Sequence, residues 1–283
     1  MNKVRSQSGG FTIVETMIVI AVTGMMFLSA MIFISGQQAK TEFTQAAHET
    51  EAKINDVLND VSTGVYNNKG DFSCDYVGGA PGNGIIITPG AKAQGANGDC
   101  IFIGKVIQFA PNSAKDRLRI YSIAGQRQNI SGQEVQSILD AKAKTLANGN
   151  GGLGRDEYED FDLPYGLTVG NVTYSNGRPT GGMGVFTQFG SYSTPGTLKS
   201  GSTNTDLVAF NGLVNQLGPD FVDQVNTALQ DPAALPTSYT KNPTDGITIC
   251  FRSGGTDQHA TMVVGGNNRQ AAAPMLIDSG NCP

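Results

Sequence analysis

The chain has 283 residues, 37 of them glycine, with 15% charged residues and a net charge of −5. Glycine far above the usual ~7% and charge well below ~25% favour a turn-rich β domain over a helical bundle. A nucleic-acid groove needs clustered Lys and Arg, and the acidic balance gives no evident nucleic-acid partner.

The first element is an apolar run that begins at Phe11 and continues to Ile34, 24 residues whose helical rise covers about 36 Å against a bilayer core of ~30 Å. Its only formal charge is Glu15. A carboxylate inside such a segment costs a few kcal/mol by insertion scales, so a partner is expected for it. Lys3 and Arg5 precede the run and no comparable basic cluster follows it, which places the N-terminus in the cytoplasm and the remainder outside. An ordinary secretory signal is shorter and carries its small residues after the apolar core, whereas Gly9 and Gly10 stand before it. A plain signal anchor, with Glu15 snorkelling or protonated, is the other reading.

Gly9-Gly10-Phe11-Thr12-Ile13-Val14-Glu15, set at the edge of that run, resembles the class III signal of type IV pilins and of type II secretion pseudopilins. The resemblance covers about the first 30 residues. It implies cleavage by a prepilin peptidase between Gly10 and Phe11, N-methylation of Phe11, and pairing of Glu15 with the α-amino group of Phe11 on a neighbouring subunit during assembly. The implied partners are prepilin peptidase, other pilin-like subunits, the pilus assembly machinery and the membrane. Two departures stand out: Thr16 occupies a position where the family commonly has an aliphatic residue, and no Pro occurs between Phe11 and Pro81. Loss of the leader would carry the net charge from −5 to −7, because it holds Lys3 and Arg5 and no acid.

The domain plan is a leader over residues 1–10, a transmembrane and assembly helix over 11–34, its extramembrane continuation over 35–63, and a β-rich head over 64–283. Phe43, Ala47, Thr50, Ile54, Val57 and Val61 fall at steps of 4, 3, 4, 3 and 4, one face of a helix ending near Gly64. In pilin-like proteins that face packs on a β-sheet; a free coiled-coil stalk is the alternative. The expected fold is α+β, a long N-terminal helix packed on a β-rich head with helical insertions.

Strands are expected at 85–88, at 101–109 and 117–123 around an Ala110-Pro111-Asn112-Ser113 connection, at 167–174, and at 183–189. Ser131 and Glu134 match a capping box before Val135, Ile138, Leu139, Ala143 and Leu146, which predicts a helix ending at Asn148-Gly149. Residues 190–205 read as a surface loop. Leu207, Phe210, Leu213, Val214 and Leu217 predict a helix over 206–217, and Phe221, Val222, Val225 and Leu229 a second. Together these make a possible insertion over 190–230. Strands at 246–252, 259–264 and 274–278 close the chain.

Cys74, Cys100, Cys250 and Cys282 fit an oxidising compartment, and of three pairings the sequential one closes loops of about 25 to 32 residues, worth about 3 kcal/mol each. Free buried thiols are the alternative, and no CxxC or HxxxH spacing suggests zinc. Asp156, Glu157, Glu159, Asp160 and Asp162 form an acid-rich loop that is either solvated or a Ca²⁺ candidate of the kind some secretion pseudopilins use. No other cofactor is expected. His48 and His259 are the only histidines, and no GxSxG, HExxH or SxxK motif occurs. The expectation is a non-enzymatic filament subunit, minor or specialised. Runners-up are a secretion pseudopilin, a signal-anchored adhesin, and a tethered glycosidase acting through carboxylates.

Overall fold

The computed structural model describes residues 12–64, 72–89, 98–146, 158–187, 205–213, 218–231, 239–266, 272 and 274–282. Two compact units divide the chain, Met1–Glu42 and Phe43–Pro283, and helix α1 (Ile13–Thr63, 51 residues) contributes to both. In the first unit every residue from Ile13 to Ile34 is exposed. The second unit begins where burial begins. Phe43, Ala46, Ala47, Thr50, Ile54, Val57, Leu58 and Val61 are all buried, and they repeat at the helical spacing. Thr50 is tolerated there because its hydroxyl donates to the Ala46 carbonyl at 2.8 Å. Gly64, at φ +69°, ends the helix in the left-handed conformation that only glycine adopts cheaply.

The strands in chain order are β1 (Phe72–Tyr76), β2 (Ile85–Pro89), β3 (Cys100–Phe109), β4 (Arg117–Gln126), β5 (Lys144–Thr145), β6 (Tyr158–Asp162), β7 (Thr168–Tyr174), β8 (Arg178–Thr187) and β9 (Thr205–Asn211). Helix α2 (Gly218–Gln230) follows, then β10 (Tyr239–Lys241), β11 (Ile247–Arg252), β12 (Gln258–Val264) and β13 (Leu276–Ser279). Strands β1 and β2 form a hairpin of their own. The other eleven join one antiparallel sheet in the order β13-β12-β11-β7-β8-β3-β4-β5, with β9 and β10 continuing from β8, and β6 beside β4. A long apolar helix with a large antiparallel sheet is an α+β architecture.

Both faces of the central strands are covered. On one, the buried side of α1 meets Ile107, Leu118, Ile120, Met183, Val185, Leu207 and Ala209, and also Ile247, Ile249 and Phe251 of β11. On the other, Val106, Tyr121, Ile123, Val208 and Phe210 meet Phe221, Val222, Val225 and Leu229 of α2, together with Val135, Ile138 and Ala141. A three-layered head results.

That layering explains two corrections. The expected helix over 206–217 is instead strand β9 as far as Asn211; residues 214–217 lie outside the described residues. Leu207 and Ala209 point to one core and Val208 and Phe210 to the other, so the strand lacks polar alternation and mimics a buried helix. The possible insertion over 190–230 therefore contains a strand of the sheet itself, while α2 is a helix as expected. The expected helix after Ser131 is also absent. The Asn129 side-chain oxygen accepts from the Ser131 and Gln133 N–H groups, each at 3.0 Å, and so makes a side-chain turn where the helix was to start. Val135, Ile138, Ala143 and Leu146 are nevertheless buried, as their spacing implied.

Candidate functional site

Thr12 precedes α1, and its hydroxyl accepts the Glu15 N–H at 3.3 Å, which is one half of a capping box. Thr12-x-x-Glu15 carries that signal in the sequence, and the expectation above overlooked it. Glu15 thus stands in the first helical turn, where the exposed N–H dipoles favour an anion. Further along, the Thr16 hydroxyl donates to the Ile13 carbonyl at 2.9 Å, Thr23 to Val19 at 2.8 Å, and Ser29 to Met26 at 2.9 Å. Each hydroxyl of the apolar segment is therefore satisfied within its own helix, as a hydrocarbon environment demands. Between Ile13 and Ile34 that leaves Glu15 as the one charged group, amid exposed Ile, Val, Met, Phe and Leu. The helix is long and apolar enough to cross a membrane. Gly10 and Phe11, the expected cleavage and methylation positions, lie outside the described residues.

Among the other expected site residues, Cys74 is bonded to Cys100 and Cys250 to Cys282, with Cα atoms 6.1 and 5.9 Å apart. Both pairs fit an oxidising compartment. Of the acid-rich segment, Asp156 and Glu157 lie outside the described residues, and the remainder is the edge strand β6 rather than a loop. Glu159 meets Lys53 of α1 at 2.6 Å. Asp160 takes Arg119 in a two-pronged contact at 2.6 and 3.0 Å, and Asp162 takes Arg117 at 2.6 Å. Each of these three carboxylates is paired with a cation, Arg117 also reaching Asp160 at 3.6 Å, and among the described residues no group of three His, Cys, Asp or Glu side chains converges to hold a metal.

Around this ladder the Arg119 guanidinium lies 3.9 Å over the Tyr158 ring, and Tyr121 stacks on Phe221 of α2 at 5.9 Å. The hydrogen bond to Asp160 raises the Arg119 pKa. Burial pushes the Tyr121 phenol up to about 12, and its hydroxyl donates to Gln108 at 2.8 Å. The Arg119–Asp160 and Arg117–Asp162 pairs lie on the α2 side of the sheet, and Glu159 turns to the opposite face to meet Lys53 of α1. A second charge in the head went unread in the sequence: Lys105 of β3, facing α1 in the core, has its amine on Asp60 near the end of that helix. His48 is exposed, 3.4 Å from the Glu51 carboxylate, and His259 lies 3.2 Å from the Gly280 carbonyl.

Comparison of the chain with protein-family models, with curated proteins and with solved structures yields no match.

Proposed function

We propose that the chain is a subunit of a type IV pilus-like filament, processed after Gly10 and assembled by parallel packing of its N-terminal helices. One observation carries the reading: an exposed apolar helix, from Ile13 to Ile34, whose hydroxyls are all internally bonded and whose single charge is the carboxylate of Glu15. Lateral neighbours or lipid must cover such a surface, because exposed apolar area of this extent is unfavourable in water. In the assembled state Glu15 meets the α-amino group of Phe11 of the next subunit, which offsets the cost of holding either charge away from water. The head is then the non-catalytic outer part of the filament, outside the cytoplasmic membrane, in keeping with its disulfides. A secretion pseudopilin satisfies the same chemistry.

A second reading is favoured by the place of Glu15 in the first helical turn: its carboxylate serves only its own helix start, and the helix is a plain membrane anchor for a binding head. Imaging separates the two. Full-length chain carrying an epitope in the head is expected to decorate fibres on the cell surface or across the periplasm. Label spread evenly over the membrane, with none on fibres, would establish the anchor instead.

A further inference from the structure

Six Asn-Gly pairs occur in the chain, and three of them lie wholly within described residues: Asn83-Gly84, Asn176-Gly177 and Asn211-Gly212. In an Asn-Gly pair the glycine nitrogen can attack the asparagine side-chain carbonyl, since no Cβ obstructs it, provided that nitrogen and the amide are unengaged. The three pairs differ in that respect. Gly84 is buried and donates its N–H to Gln126 Oε1 at 3.0 Å, while Asn83 Nδ2 bonds the Val77 carbonyl at 3.4 Å. Asn211 is half-buried at the end of β9, and its side-chain oxygen accepts from Thr240 at 3.3 Å. Asn176 and Gly177 are both exposed at the tip of the β7–β8 hairpin, at φ +65° and +78°, outside both strands. Among the described residues no hydrogen bond engages the Asn176 amide or the Gly177 N–H, and the space beside Gly177 is open to 4 Å.

We propose that Asn176 is a site of spontaneous deamidation in the folded protein. The Gly177 nitrogen bonds to Asn176 Cγ, the Cγ–Nδ2 bond breaks, and ammonia leaves with the Gly177 proton, closing a five-membered imide. Water then opens the imide at either carbonyl, giving aspartate or isoaspartate and one new negative charge beside Arg178. The isoaspartate form lengthens the backbone at the turn. That turn feeds β8, the strand that joins β7 to β3 and so links the two parts of the sheet.

The test is peptide mapping of purified full-length protein in detergent, kept for increasing times at mildly alkaline pH. The Asn176 peptide is expected to gain about one dalton and to split into two isomers about tenfold faster than the Asn83 and Asn211 peptides, the factor that one retained hydrogen bond is worth. In reduced, denatured chain the three rates should converge. Equal rates in the folded protein would overturn the proposal, as would the same ranking surviving denaturation, because local sequence rather than the fold would then set it.

Discussion

Glu15 has two physical roles open to it, and single substitutions separate them. The hydrogen bond to Thr12 comes from the Glu15 backbone, so Glu15→Ala leaves it intact and removes only the carboxylate. Thr12→Ala does the reverse, at a cost of about 1 kcal/mol to the helix start. If the carboxylate registers subunits, Glu15→Ala abolishes incorporation into fibres while Thr12→Ala retains it, as measured by immunoblot of sheared fibres. Loss with Thr12→Ala alone would reduce Glu15 to a capping partner. Tyr121 offers a test in the head. Its phenol is held neutral by burial, with its pKa raised from 10.0 to about 12. A group raised in the folded state stabilises fully below its unfolded value and loses that contribution as pH climbs through the folded one. Stability of the wild type should therefore fall between pH 10 and about 12 more steeply than that of Tyr121→Phe, in denaturant titrations at each pH. Parallel slopes would show that Tyr121 ionises freely.

At the scale of elements, the buried face of α1 was legible because helical spacing survives any context: Phe43, Ala47, Thr50, Ile54, Val57 and Val61 are all covered. Strands β3, β4, β7 and β11 could also be read, since β-branched and aromatic residues bounded by turns leave few alternatives. Three features hid. Strand β9 is buried on both faces and so lost its period of two. Strand β6 is rich in Asp and Glu, which strands disfavour, and its acids are tolerated because Arg119, Arg117 and Lys53 arrive from distant parts of the chain. The segment after Ser131 carries a helix-start signal that the Asn129 turn overrides. The Lys105–Asp60 pair was illegible for the same reason as β6: 45 residues separate its members. Because Lys105 is the more deeply buried partner, losing Asp60 should cost more than losing Lys105. Asp60→Ala strands a buried ammonium and is expected to cost about 3 to 5 kcal/mol, whereas Lys105→Met leaves behind a carboxylate that is 34% exposed and can hydrate, and should cost less. Chemical denaturation of both variants decides it; equal losses would mean that Lys105 reaches solvent without its partner.

For the whole molecule, the apolar helix and its lone acid were legible in full, whereas the head's sheet order was not, since strand pairing depends on partners far apart in the chain. Covalent closure complements that non-local pairing. Cys100 opens β3 and ties it to the separate β1–β2 hairpin, and Cys282 fastens the chain end to Cys250 of β11. Both bridges fit an oxidising compartment, and the apolar helix is long enough to cross a membrane. Under the proposed function, cleavage before Phe11 would create the amine that the Glu15 carboxylate is proposed to meet. The decisive measurement is the intact mass and N-terminal peptide of the protein isolated from cells. The account predicts a chain that starts at N-methylated Phe11; a sole species still carrying residues 1–10 would contradict it.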